Sequence, residues 1–93
     1  MYEDVLLRMR QAARSREYVV TTHADDEMYD DDLSIHDVER VIATGQIVER
    51  QKDRQSNEWN YVLHGASLDS GAAAVVAKFG FTGRLVIITV YRR

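Results

Sequence analysis

A histidine and a tyrosine stand where predicted strands end, and both side chains can transfer protons. His23 follows the β-branched segment 18–22 and precedes a predicted helix, whose free N–H groups attract anions. Tyr91 lies near the end of the last predicted strand. Cleavage of RNA without a metal requires a base for the 2′-hydroxyl, an acid for the leaving oxygen and a cation for the phosphate. We therefore predict His23 and Tyr91 as catalytic residues of such a reaction.

Other positive or titratable side chains on the predicted strands are candidates for contact with the substrate. They are Lys78, Arg84, Arg92 and His64. A structural interpretation stays open for all these candidates: a histidine bonded to backbone, a tyrosine at the rim of the core, or a cation in solvent. Trp59, near Arg54, either stacks on nucleic-acid bases or closes over the core from a loop.

The middle of the chain is strongly acidic. Segment 18–44 has eight acidic residues against Arg40 alone, a balance of −7, whereas segments 1–17 and 45–93 carry +1 and +3. We predict Asp30, Asp31 and Asp32 as a docking surface for a basic partner protein. The acidic run has no turn glycine, so it does not fit a calcium loop, and no metal or cofactor is predicted.

Hydrophobic spacing predicts helices in the first half of the chain. A first helix is expected over 2–16, and the β-branched segment 18–22 is expected to be a strand or an extended lead-in. Thr22 and Asp25 fit a capping box that opens a short helix over 24–29. Ser34 and Asp37 fit a second capping box, and Gly45 is expected to end the helix that follows it.

From residue 47 the hydrophobic period becomes that of strands. Four strands are predicted, separated by short turns, over 47–53, 60–68, 72–79 and 84–92. The first is polar and is expected at an edge, whereas the last is apolar and is expected at the centre or covered on both faces. The sequence therefore predicts an α+β fold: N-terminal helices packed on a four-stranded antiparallel sheet, in a single domain over 1–93 with a helical part over about 2–45 and a sheet over about 47–92.

Length and composition limit the number of domains, the types of metal site and the cellular compartment that can be expected. A chain of 93 residues is expected to form one domain. The absence of cysteine excludes disulfides and thiolate metal sites. No apolar run approaches the roughly 20 residues that span a bilayer, and charges interrupt the N-terminal segment where a signal peptide needs apolar residues. We predict a cytoplasmic protein with no membrane partner.

Several short motifs resemble a known family. The stretch YVVTTHADDEMYDDDLSIHDVERVIATGQIVE, then YVLHG, AVVAKF and LVIITVY, resembles the bacterial and archaeal domain of unknown function 4258 (DUF4258) over about 18–91. That family is similar in layout to the RelE/ParE-like toxins, which often cut mRNA and are neutralised by an antitoxin. The resemblance also implies a basic residue where this chain has Glu27.

Three hypotheses follow. The leading one is a toxin-like, metal-independent ribonuclease, with RNA as substrate and an antitoxin as partner. The second is a non-catalytic module that binds a protein through its acidic helical face. The third is a metal-dependent hydrolase using His23, Asp26 and Glu27. The oligomeric state, monomer or homodimer, stays open.

Overall fold

Three helices and five strands form the protein, and the computed structural model describes all of residues 1–93. Helices and strands do not alternate along the chain, because two helices lie between the first strand and the other four. The elements are α1 (Glu3–Ser15), β1 (Tyr18–Val20), α2 (Thr22–Asp30), α3 (Ile35–Thr44), β2 (Gln46–Lys52), β3 (Trp59–Ala66), β4 (Ala72–Phe79) and β5 (Leu85–Arg92). The predicted α+β class is confirmed.

The sheet has five strands and is mixed, so the prediction of a four-stranded antiparallel sheet is wrong in that detail. Its order is β1-β5-β4-β3-β2, with β1 parallel to β5 and the other neighbours antiparallel. Tyr18–Val20 is a strand, one of the two alternatives left open by the sequence, but three residues carry too little periodicity to predict that it pairs with β5. The polar strand β2 lies at an edge, as predicted, and β5 lies between β1 and β4.

A single hydrophobic core fills the space between the helices and one face of the sheet. The core members from the helices include Leu6, Met9, Val38, Val41 and Ile42, and those from the sheet include Leu63, Val75, Leu85, Ile87 and Val90. The opposite face of the sheet carries no helix. We call it the open face.

A bulge in β5 changes which side chains reach the core. Val76 of β4 pairs with Thr89 and Ala77 pairs with Ile87, so Ile88 has no partner. Because the extra residue shifts the alternation by one position, Ile87 and Val90 both lie in the core. The bulge thereby directs Tyr91, the neighbour of Val90, to the open face.

The start of α2 and the end of α3 depend on different residues or backbone conformations from those that the sequence predicts. The side chain that caps α2 is Thr21, whose Oγ1 accepts a hydrogen bond from the Ala24 N–H at 3.1 Å, so the predicted Thr22 capping box is wrong. The Ser34–Asp37 capping box is confirmed. α3 ends at Gly45, as predicted, but this glycine is extended and not left-handed, with φ −87° and ψ −169°.

Candidate functional site

His23 lies in the first turn of α2 and is oriented by an acidic side chain one turn later. Its Nε2 is 3.2 Å from Glu27 Oε1, and the imidazole side chain is 68% exposed. The same Glu27 oxygen accepts a hydrogen bond from the Val90 N–H of β5 at 3.1 Å. When Nε2 carries the proton that faces Glu27, the exposed Nδ1 is the nitrogen able to accept one.

The carboxylates of α2 replace a missing strand partner of β5. β1 pairs with β5 only as far as Ile87, so the N–H groups beyond it face no strand. Glu27 and Asp31, one helical turn apart, accept hydrogen bonds from the N–H groups of Val90 and Arg92 at 3.1 and 2.9 Å. Glu27 stands where the family resemblance implies a basic residue, and no cation can make this contact because it has no acceptor atom.

Arg92, predicted to bind substrate, is held by the acidic segment that was predicted to bind a partner. Its Nε donates to the Asp31 carbonyl at 2.8 Å and a terminal nitrogen donates to the Asp32 carbonyl at 3.3 Å. The guanidinium also lies 3.6 Å from a carboxylate oxygen of Asp69. These contacts fix the end of α2 to the end of β5 and occupy Arg92 within the protein. Asp30 is exposed and forms no ion pair.

Tyr91 and His64 lie on the open face, on either side of Ala74. Each pairs across the sheet with Ala74, from β5 and β3 respectively. Ala74 is fully buried although no helix covers this face, because the larger side chains on both sides shield it. His23 is on α2 at the edge of the sheet, so the structure places the two predicted catalytic residues on different elements, linked through Glu27 and Val90.

Lys78, also predicted to bind substrate, forms an internal ion cluster. Its Nζ lies 2.8 Å from Glu58 Oε1 and 3.7 Å from Asp53 Oδ2. The hydrogen bond to Glu58 is the main cause that raises the pKa of Lys78. The cluster attaches the turn between β2 and β3 to β4 and neutralises the ammonium group.

Arg84 lies in a wide groove between α1 and the turn from β4 to β5. The groove has a volume of about 580 Å³ and is lined by Arg8, Gln11, Ala12, Glu17, Thr82, Gly83 and Arg84. The Arg8 guanidinium carbon lies 4.1 Å from the centre of the Phe79 ring, so the ring holds it in a cation–π contact. Neither Arg8 nor Arg84 forms an ion pair. At the tip of the turn, Phe81 is 97% exposed.

A second aromatic ring with cations lies next to this groove. Arg50 Cζ and Lys52 Nζ approach the Trp59 ring centre to 3.9 and 4.4 Å. A smaller hollow, lined by Val5, Arg8, Glu58, Trp59, Tyr61 and Phe79, shares Arg8 with the groove. We call Arg8, Arg50, Lys52, Trp59, Phe79 and Arg84 the basic–aromatic surface.

The acidic residues do not form a metal centre. No three histidine, aspartate or glutamate side chains are arranged so that they could hold a metal ion. His23 and Glu27 approach each other, whereas Asp26 does not join them. The hypothesis of a metal-dependent hydrolase therefore has no geometric support.

Comparison with known proteins identifies the family. Residues 20–92 match the family described as a domain of unknown function, DUF4258. The chain belongs to the DUF4258 family. No curated protein and no solved structure matches this DUF4258 chain, so its likeness in layout to the RelE/ParE-like toxins is not confirmed. No helix of the DUF4258 chain is long and apolar enough to cross a membrane.

Sequence reasoning missed most of the basic–aromatic surface of this DUF4258 protein. It selected Arg84 and noted that Trp59 is near Arg54, but it did not select Arg8, Arg50 or Lys52. Lys52 is the cross-strand partner of Trp59, so the register of the β2–β3 hairpin is the signal that identifies the correct cations.

Proposed function

We propose that this DUF4258 protein binds and cleaves RNA, as a toxin-like domain that requires no metal. The observation that carries the proposal is the basic–aromatic surface, where cations without acidic partners lie beside aromatic rings. Proteins bind single-stranded nucleic acid by combining such cations, which contact phosphates, with aromatic side chains on which bases stack. In contrast, the acids of α2 are grouped elsewhere, and Lys78 and Arg92 are neutralised internally.

The groove supplies the phosphate contacts in this proposal. Arg8 is held in place by Phe79, so its N–H groups lose little freedom when they bind a phosphate oxygen. Arg84 lines the same groove, and Phe81 provides an exposed ring next to it for a base. Glu17 is the single acidic side chain in the lining, so the groove keeps a positive balance.

His23 supplies the base for cleavage. Glu27 orients the imidazole at 3.2 Å, which leaves Nδ1 to take the proton of a 2′-hydroxyl. The 2′-oxygen then attacks the phosphorus, a 2′,3′-cyclic phosphate forms, and the 5′-oxygen leaves with a proton from Tyr91. The antitoxin of the toxin-like arrangement would be the protein partner.

One experiment tests both parts with a short end-labelled single-stranded RNA. Arg8→Ala and Arg84→Ala are each expected to weaken RNA binding about tenfold and to reduce the slope of log affinity against log salt by about 0.7. Arg40→Ala, which removes the same charge from an exposed position on α3, is expected to bind like the wild type. Equal binding by all four proteins would reject the groove as the RNA site.

The same RNA reports on cleavage. His23→Ala is expected to lower the cleavage rate by a factor of about 100 or more without changing RNA binding, because a general base contributes about 10²–10⁴. His36→Ala is the matched control, since His36 is an exposed helical histidine whose Nδ1 lies 3.5 Å from Glu39. Binding without cleavage in the wild type would reduce the proposal to RNA binding, and neither activity would reject it.

A further inference from the structure

A second groove, lined by none of the residues of the basic–aromatic surface, lies between α2 and the start of α3. It has a volume of about 390 Å³ and is mainly apolar. Its lining consists of Val20, Asp25, Met28, Tyr29, Leu33, Ser34 and Ile35, and we call it the α2–α3 groove. Nothing in the proposed reaction with RNA uses it.

An aromatic side chain stands exposed at the wall of the α2–α3 groove. Tyr29 is 86% exposed, whereas Met28 and Leu33 on the floor are buried. The phenol donates no hydrogen bond to the protein, and the ring contributes little to the core. Exposed aromatic side chains beside an apolar depression are typical of the residues that anchor a protein partner.

The acids of this region divide into two groups. Four of them have partners inside the protein: Glu27, Asp31, Asp37 and Glu39. Four others are exposed and form no ion pair: Asp25, Asp26, Asp30 and Asp32. Asp25 lines the α2–α3 groove. The other three lie on α2 or directly after it, so the surface of α2 that adjoins the groove carries an excess of negative charge, which we call the negative rim.

We propose that the α2–α3 groove binds a basic amphipathic segment of a partner protein. Aliphatic side chains of the segment pack on Met28 and Leu33, and Tyr29 closes over them. Lysine or arginine side chains on both sides of the aliphatic stripe face the unpaired aspartates, which favours this partner over an acidic one.

Charge also decides against the two alternative occupants of the groove. RNA carries negative charge along its whole backbone, so the rim repels it. A second copy of the chain would bring two negative rims together in a symmetric interface, because the same patch then faces itself. The α2–α3 groove differs from the partner surface predicted at Asp30–Asp32. Asp31 is not available there because its carboxylate accepts a hydrogen bond from the Arg92 N–H, and the groove is lined instead by residues that include Asp25, Tyr29 and Leu33.

The test is an NMR titration of the full chain with three synthetic peptides of about four helical turns. The first peptide, of roughly 14 residues, has leucine at about the helical period, at roughly positions 1, 4, 5, 8, 11 and 12, and lysine elsewhere. The second replaces every lysine by glutamate, and the third scrambles the order of residues in the first. The basic amphipathic peptide is expected to shift the signals of Val20, Met28, Tyr29, Leu33 and Ile35 in a saturable way. The acidic and scrambled peptides are expected to leave those signals unchanged.

Variants make the result specific to the groove. Tyr29→Ala is expected to weaken binding of the basic peptide at least about tenfold. Asp25→Asn, which removes the acidic side chain that lines the groove, is expected to weaken it about threefold. Leu7→Ala, at another exposed large hydrophobic side chain, and Asp4→Asn, with the same change in charge, are the matched controls. Shifts located elsewhere, equal binding by the variants, or groove shifts that depend on protein concentration without peptide would overturn the proposal.

Discussion

At the scale of single residues, Tyr18 shows how a side chain outside both grooves connects two elements. Its hydroxyl donates a hydrogen bond to Glu39 Oε2 at 2.6 Å, which links β1 to α3. Burial, together with the hydrogen bond to Glu39 and the charge of that carboxylate, raises the pKa of Tyr18 to about 12. The neutral phenol is therefore the form that the folded protein favours.

This raised pKa predicts a loss of stability at alkaline pH. The folded-state pKa of about 12 exceeds the ordinary value of 10.0, so the stabilisation is complete below about pH 10 and is lost as the pH rises towards 12. We expect the free energy of unfolding of the wild type to fall between about pH 9 and about pH 11.5, and that of Tyr18→Phe to fall less, because phenylalanine has no proton to lose.

Urea unfolding at about pH 9 and about pH 11.5 measures the loss of unfolding free energy. Tyr29→Phe, at an exposed tyrosine, is the control that is expected to behave like the wild type. An alkaline loss of the same size in Tyr18→Phe would show that other groups cause it.

At the scale of elements, the start of α2 depends on a residue that sequence reasoning passed over. Thr21 accepts the Ala24 N–H at 3.1 Å and donates to the Ile88 carbonyl at 3.2 Å. One hydroxyl thus caps the helix and satisfies an oxygen at the bulge of β5. The cap also sets the position of His23 and Glu27, because both lie within the first two turns of α2.

Neighbouring threonines allow a matched comparison of this cap. Thr21→Ala is expected to lower the free energy of unfolding by about 1–2 kcal/mol, since it removes an N-cap and leaves a backbone oxygen without its donor. Thr22→Ala, at the exposed position that the sequence pattern favours, is expected to change it by less than about 0.5 kcal/mol. Chemical denaturation of both variants measures the difference, and the reverse order would restore the capping box predicted from the sequence.

At the scale of the whole molecule, the end of α3 approaches the sheet closely at two glycines. A Cβ atom added to Gly45 would lie 2.5 Å from the carbonyl oxygens of His64 and Val41. Gly65 of β3 lies directly opposite, where an added Cβ would be 3.2 Å from the Gly45 Cα. The contact keeps the end of α3 against β3, and Arg10 of α1 completes it by donating to the Ile42 and Gly45 carbonyls at 3.0 and 2.9 Å.

Substitution at Gly45 therefore acts both on the last turn of α3, through the Val41 oxygen, and on the packing of α3 against β3, through the His64 oxygen. Gly45→Ala is expected to lower the free energy of unfolding by at least about 2 kcal/mol, because both obstructing atoms belong to backbone and the end of α3 must shift. Gly80→Ala is the control, since its nearest contact would be an ordinary 3.5 Å to a Val86 methyl group, and a change below about 0.5 kcal/mol is expected. Thermal denaturation compares them, and equal melting temperatures would show that α3 adjusts without cost.

The sequence by itself determined the α+β class, the Ser34–Asp37 capping box and the polar edge strand β2, because these features follow from local spacing and side-chain type. It also selected His23 and Arg84 as candidate site residues, because a histidine at the start of a helix and an arginine at a turn can be recognised from the sequence alone; their roles stay predictions.

Only the tertiary structure decided the parallel pairing of β1 with β5, the partners of Lys78 and Arg92, and the group of cations around Trp59 and Phe79. Each of these joins residues far apart in the chain, such as Arg92 and Asp31. Local pattern cannot predict which carboxylate meets which cation, because the strand register, the bulge at Ile88 and the close approach of α3 set those distances. The same long-range packing formed the α2–α3 groove, in which Asp25 has no ion-pair partner, and it placed Arg8 and Arg84 in one groove.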